Sequence, residues 1–447
     1  MVRTLPLETT TDLIAVGTGS QRRHMVRDLG AVAMASMIAT SVLSACGPVV
    51  SHTPTRVRVQ VRPRESLVDQ PLSVVITGLR AGQDVRVAVT SVDADGVQWA
   101  SNARFRCVTR GTVDLATSPS LGGSYIGLDP MGIISAMTPV GHRATAYFWG
   151  FKENLFRLTV YVGGRAVAVT SFERRAVALG VTIHAETLAA EGFIGQYWAP
   201  PKSRSRGTAV IEFGGSEGGL DGQLLGAALA SIGYPTLDVA YFGEPGLPRT
   251  LSHIPLEYFA GAVKWLGAQP GVSHQKIFVL GGSRGSEAAL LLGVYYPALV
   301  HGVIAVSPSN VALCSYPSCS GPAWTLHGRA LPYTTQFNDP APTDNPQAVI
   351  PVQNIKGPIF LACGGDDRVW DSCAYARAIM ARLSARHNAY THVLYSYPTA
   401  GHGIDTLVPY EPVRVTAGTE DLLGAASQSN QIAEAELWPH VLSFLAA

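Results

Sequence analysis

Lys276-Ile277-Phe278-Val279-Leu280-Gly281-Gly282-Ser283-Arg284-Gly285-Ser286-Glu287 decides the fold of this chain. An apolar, β-prone run passes straight into G-x-S-x-G, and Ala288 to Gly293 continues in helix-forming residues. A strand that turns at once into a helix leaves no room for β-carbons at the bend, and Gly281 and Gly285 stand there. Ser283 is then held at the tip of the turn with its hydroxyl exposed, the position of a nucleophile. Behind it, the backbone N–H of Arg284 opens a helix whose first N–H groups lack helical partners and whose positive dipole end suits a developing oxyanion.

A serine of this kind needs a base and an acid, and the elbow topology puts them later in the chain, in loops at the C-terminal ends of strands. The apolar run 359–363 ends in Gly364-Gly365-Asp366-Asp367, and the run 393–397 is followed by Pro398-Thr399-Ala400-Gly401-His402-Gly403. His402 is the expected base. The expected acid, which holds the imidazole in the right tautomer, is Asp367, at the end of a G-x-x-D turn, in preference to Asp366. A second oxyanion donor is expected from Phe213-Gly214-Gly215-Ser216-Glu217-Gly218-Gly219, where Gly214 and Gly215 let a backbone N–H face the site. That loop lacks the Walker lysine and the G-x-G-x-x-G spacing, so phosphate cradling is not expected of it. The Arg284 and Glu287 side chains read as a surface cation and a first-turn dipole partner.

Working outward, strands and helices alternate after about residue 180. Strands are expected over 207–213, 235–239, 277–280, 300–306, 359–363 and 393–397. Helices are expected over 221–232 with Asp221 as cap, and over 255–266, 372–383 and 432–445. This is a mainly parallel α/β sheet, and the Ser, Asp, His order makes it an α/β-hydrolase fold. Residues 308–355, rich in proline, form a loop-like excursion over the catalytic face. Upstream, period-2 runs such as Val57-Arg58-Val59-Gln60-Val61 and Val85-Arg86-Val87-Ala88-Val89 are punctuated by Gly78, Gly82 and Asp93-Ala94-Asp95-Gly96. That spacing argues for an antiparallel β-sandwich over 56–185, followed by the catalytic domain over 186–447.

Residues 1–46 have a different character. Gln21-Arg22-Arg23-His24-Met25-Val26-Arg27 is basic, Leu29 to Leu43 is apolar or small, and Leu43-Ser44-Ala45-Cys46-Gly47 closes the run. This is the form of a bacterial lipoprotein signal, with Cys46 as the lipidated residue and 47–55 as a tether. Met25 is an alternative start, Arg22-Arg23 an alternative twin-arginine signal, and a cytoplasmic protein the alternative location. Cys314 with Cys319, and Cys363 with Cys373, are candidate disulfide pairs that would suit export and leave Cys107 free, and the sequence leaves their pairing open. With 447 residues, 47% hydrophobic, 15% charged and a formal charge of +1, the chain gives no reason to expect a nucleic-acid partner. Membrane association is expected only through the anchor. No zinc-like Cys/His spacing is present, and no metal or other cofactor is expected.

Taken together, the segments resemble the acyl-CoA thioester hydrolase and bile acid-CoA:amino acid N-acyltransferase family. The likeness rests on Leu67-Val68-Asp69-Gln70-Pro71-Leu72, Ser120-Leu121-Gly122-Gly123-Ser124-Tyr125, Asp129-Pro130-Met131-Gly132 and Phe213-Gly214-Gly215. It continues through Ala240-Tyr241-Phe242-Gly243, Leu256-Glu257-Tyr258-Phe259, the elbow, Asp366-Asp367 with Trp370, and Gly401-His402. The resemblance implies an immunoglobulin-like N-terminal sandwich and acyl transfer from a thioester through an acyl-enzyme on Ser283. A serine, where the conjugating member has cysteine, implies water as acceptor, and the family pattern also implies Asp367 as the acid. An exported chain departs from the family's intracellular setting, so an acyl thioester or ester other than acyl-CoA is a possible substrate. The alternatives are an acyltransferase to an amine or hydroxyl, a lipid esterase of the cell envelope, and a non-catalytic surface-anchored binding protein.

Overall fold

Strands buried on both faces should be apolar almost throughout, and Gly207–Phe213 (GTAVIEF) is one: every residue after Gly207 is buried. It lies near the middle of an eight-stranded sheet. A computed structural model describes residues 56–108, 111–141, 147–150, 152–220, 222–412, 424 and 427–447. Across the sheet the order is Thr182–Glu186, Ile194–Ala199, Thr236–Ala240, Gly207–Phe213, Val272–Gly282, Gly302–Val306, Ile359–Gly364 and His392–Tyr397. The first two strands run antiparallel to their neighbours, and from Thr236–Ala240 onward all pairs are parallel. Parallel neighbours need crossovers, supplied by helices Gln223–Ile232, Leu256–Gly267, Ser283–Tyr295 and Ser372–Ala385.

The pleat sorts alternate strand residues into two cores. Ile277, Val279, Val303, Ala305, Ile359 and Leu361 pack with the helices on one face. Phe278, Leu280, Ile304, Val306, Phe360 and Ala362 face the other way, against Leu437, Trp438, Val441 and Leu445 of the C-terminal helix Ser427–Ala446. Burial of each large apolar side chain stabilises by ~1.5–3 kcal/mol.

That second core runs on into the N-terminal part. There a three-stranded antiparallel sheet (Arg58–Arg62, Ser73–Thr77, Thr112–Asp114) faces a six-stranded one. The longest strands of the larger sheet, Asp84–Val92, Gln98–Arg106, Asn154–Val162 and Arg165–Arg175, pair antiparallel. Asp84–Val92 alternates buried and partly exposed residues along its length, the signature of a sheet with one face on a core. Its Val85, Val87 and Val89 share one cluster with Val74, Ile76 and Val113 of the small sheet. The C-terminal helix is tied to this part by Trp438 Nε1, which donates to Asp69 Oδ2 at 3.2 Å. Beside that contact the fully buried Arg174 donates to the carbonyls of Val68 and Gln70. Burial lowers its pKa to about 10.

Several expectations need adjusting. The strands Thr182–Glu186 and Ile194–Ala199 are not among those expected from the sequence, and the first belongs to the eight-stranded sheet although it precedes the expected boundary at 186. The elbow helix starts at Ser283 itself. The excursion 308–355 holds two short strands, Trp324–Leu326 and Arg329–Ala330, and two 3-10 turns. The pairing left open by the sequence is Cys314–Cys319 and Cys363–Cys373, and Cys107 is free and buried. The expected signal segment, Cys46, the tether and Asp221 lie outside the described residues. Among the described residues no helix is long and apolar enough to cross a membrane.

Candidate active site

The elbow geometry follows from its glycines. A β-carbon on Gly281 would lie 2.1 Å from the Gly285 carbonyl oxygen, and one on Gly285 would lie 2.3 Å from that of Phe213 and 2.5 Å from that of Gly214. Only glycine permits these approaches. Ser283, between them, has a φ of 50°, a left-handed conformation uncommon for a residue with a side chain and held by the surrounding turn.

His402 Nε2 lies 2.8 Å from Ser283 Oγ. On the other side of the ring, Nδ1 lies 3.0 and 2.9 Å from the two carboxylate oxygens of Asp367. Asp367 Oδ1 also accepts from the N–H groups of Val369 at 3.0 Å and Trp370 at 3.2 Å, which fixes the carboxylate. Asp366 points elsewhere, toward the exposed Arg368 at 3.3 Å. Of the two adjacent acids, only Asp367 bonds the imidazole.

The His402 loop is held from three sides. The N–H of Gly401 donates to Asn430 Oδ1 on the C-terminal helix at 2.8 Å, and Ser307 Oγ donates to the His402 carbonyl at 2.8 Å. Trp370 meets the imidazole edge to face, with centroids 5.1 Å apart, and its Nε1 donates to the Ser307 carbonyl at 3.1 Å. Burial alone would disfavour the imidazolium. The hydrogen bond to Asp367 and the fields of Asp405, Asp367 and Glu217 outweigh it, so the His402 pKa lies above the ordinary imidazole value.

The Gly214-Gly215 loop sits against Ser283. The β-carbon position of Gly215 is 3.4 Å from Ser283 Oγ. Tyr241 holds the loop, its hydroxyl lying 2.7 Å from the carbonyl oxygen of Gly214 and 2.6 Å from that of Gly215. The N–H of Gly215 donates to the carboxylate of Glu217. Arg284, second in its helix, has a backbone N–H without a helical acceptor.

The side chains of Arg284 and Glu287 are not the surface groups their sequence suggests. Both are buried and paired, Nε to Oε1 at 2.7 Å. Arg284 also donates to the carbonyls of Leu313 and Cys314, while Glu287 accepts from Trp324 Nε1 at 2.8 Å and from the Leu313 N–H at 3.1 Å. The pair therefore anchors the excursion to the elbow helix. Burial raises the Glu287 pKa, against the pull of Arg284 and Trp324. Sequence spacing cannot reveal this role, because only the tertiary path of 308–355 buries the two charges.

A cavity of about 580 Å³ opens beside Ser283 and His402. Phe148, Trp149, Trp198, Leu220, Leu224 and Leu225 give it an apolar wall drawn from both parts of the chain.

A mostly parallel eight-stranded sheet with Ser283 at a strand-to-helix elbow, and Asp367 and His402 after later strands, defines the α/β-hydrolase class. Residues 69–186 match the acyl-CoA thioester hydrolase/BAAT N-terminal region, and residues 254–447 match the BAAT / acyl-CoA thioester hydrolase C-terminal region. The chain belongs to the acyl-CoA thioester hydrolase/BAAT family, and the reaction class that goes with that membership is thioester hydrolysis. It is similar to acyl-coenzyme A thioesterase 6 of Mus musculus, 28% identical over 400 residues, spanning 84% of this chain and 93% of the relative. It is equally similar to acyl-coenzyme A thioesterase 1 of Rattus norvegicus, 28% identical over 402 residues with the same coverage. Among solved structures, the hyperthermophilic esterase of Pyrobaculum calidifontis aligns with 18% identity and a TM-score of 0.39, covering 60% of this chain and 84% of that one.

Proposed function

We propose that this chain is a serine thioesterase that cleaves long-chain acyl thioesters through an acyl-enzyme on Ser283. The observation that carries this reading is the continuous hydrogen-bonded line from Ser283 Oγ through His402 to Asp367. Ser283 Oγ attacks the thioester carbonyl as its proton passes to His402 Nε2. The oxyanion forms against the N–H groups of Arg284 and the Gly214-Gly215 loop. As the C–S bond breaks, His402 returns the proton to the leaving thiolate. It then takes a proton from water, which attacks the acyl-serine, and Ser283 leaves with that proton to release the carboxylic acid. Asp367 orients the ring and stabilises its cation. The apolar cavity beside Ser283 supports an extended acyl group as the part of the substrate held by the enzyme.

Thiol release from a series of acyl-CoAs tests this. The expected result is turnover that Ser283→Ala abolishes; turnover retained in that variant overturns the mechanism.

The N-terminal pair of sheets is assigned to the immunoglobulin-like type, and the chain to the cell envelope through a lipid on Cys46. Two disulfides support an oxidising compartment, since such bonds are rare in the cytosol. Cys46→Ser should move the protein from the membrane to the soluble fraction, and unchanged fractionation contradicts the anchor.

A further inference from the structure

The thioesterase reading requires an empty donor where the acyl oxygen will gain charge. One of those donors is already in use. Gly215 flanks the nucleophile, with its β-carbon position 3.0 Å from Ser283 Cβ and 3.4 Å from Oγ, and its N–H donates to Glu217 Oε1. The other carboxylate oxygen, Oε2, lies 3.0 Å from the same β-carbon position. Glu217 lines the cavity with Ser283 and His402, and its charge contributes to the raised pKa of the imidazole.

A carboxylate there resembles the species the site is built to receive: an anionic oxygen on a backbone N–H beside the serine. The two cannot share one donor, and at this distance their like charges repel. Nor is Glu217 required to shape the loop, because Tyr241 already holds the carbonyls of Gly214 and Gly215. Glu217 is exposed and followed by Gly218 and Gly219, both at positive φ, so its side chain can leave into solvent.

We propose that Glu217 is a gate on the oxyanion site: its carboxylate occupies the Gly215 N–H in the resting enzyme and is displaced when an acyl carbonyl enters. Reactivity at Ser283 is then set by a competition between an internal anion and the substrate oxygen. Glu217 is a gating residue, with no proton or bond of the reaction assigned to it. The inference rests on the Ser283 reading above.

The test is the second-order rate of fluorophosphonate labelling of the full-length protein, whose phosphoryl oxygen enters the oxyanion site, in wild type, Glu217→Ala, Glu217→Gln and Ser283→Ala. Affinity for an acyl trifluoromethyl ketone is measured alongside. The gate predicts labelling faster by about tenfold in Glu217→Ala, the scale of one charge-assisted hydrogen bond at an exposed side chain. Glu217→Gln, which keeps an acceptor but not the charge, should fall between, and ketone affinity should rise in the same order. Equal or slower labelling in both variants, with Ser283 still labelled, overturns the gate and leaves the serine mechanism standing. No labelling of Ser283 in any variant overturns the mechanism, and the gate with it.

Discussion

Gly285 and Phe213 approach so closely that a β-carbon on the glycine would lie 2.3 Å from the phenylalanine carbonyl oxygen. This is where the elbow helix rests on the strand that leads into the Gly214-Gly215 loop. Gly285→Ala must push that backbone away or twist the elbow, since no side chain is there to yield. The expected outcome is a loss of roughly 3 kcal/mol or more, read as a fall in Tm, with thiol release abolished. Gly261→Ala is the control, in the helix Leu256–Gly267 with nothing within 4 Å of the added carbon. It should stabilise by ~0.5–1 kcal/mol.

In the proposed mechanism His402 must be neutral to accept the Ser283 proton, and its pKa is raised in the folded protein. The ascending limb of kcat/KM against pH should therefore lie above the ordinary imidazole value of about 6.5. Because the folded pKa exceeds the unfolded one, the stability His402 contributes is fully present below about 6.5 and is lost as pH rises through the folded value. Asp367→Asn removes the carboxylate charge that helps to raise it and favours the wrong imidazole tautomer. The limb should move to lower pH and kcat should drop by roughly 10³–10⁴.

Glu434 is buried in the C-terminal helix, and Thr406 Oγ1 donates to its Oε1 at 2.6 Å. Burial raises its pKa well above the ordinary glutamate range. The folded state thus holds a proton that the unfolded chain gives up, so stability falls as pH climbs from the ordinary value toward the folded one. Glu434→Gln keeps the acceptor and removes the ionisation. Urea unfolding at several pH values should show this variant gaining on wild type as pH rises, and no change in their difference contradicts the assignment.

Cys363 and Cys373 close a ring that contains Asp366, Asp367 and Trp370. Breaking it in Cys363→Ser/Cys373→Ser frees the loop that aims the acid at His402. A ring of this size is worth ~3 kcal/mol. The double variant should lose about that much in denaturant unfolding and should lose more in kcat than in KM.

What the sequence made legible follows burial. Gly207–Phe213 was readable to the residue because both its faces are buried and its pattern is continuous. The elbow was readable because its backbone contacts admit only glycine. Thr182–Glu186 and Ile194–Ala199 were not, being antiparallel strands at one edge with polar residues such as His184, Glu186 and Gln196 among them. Arg284 and Glu287 read as a surface cation and a first-turn dipole partner, and only the excursion over the elbow helix encloses and pairs them. Asp367 stands apart from Asp366 in the sequence by turn position and family resemblance, whereas the structure separates them by partner, His402 against Arg368. Glu217 gave no signal within its glycine-rich loop, because its contact with Gly215 depends on how that loop folds back.

The most direct measurement is the mass of the peptide containing Ser283 after rapid acid quench of the enzyme with a long-chain acyl-CoA. The expected result is a transient increase equal to one acyl group on Ser283, formed with thiol release and absent in Ser283→Ala. Full thiol release by wild type with no acyl group on Ser283 at any quench time would contradict covalent catalysis at this serine.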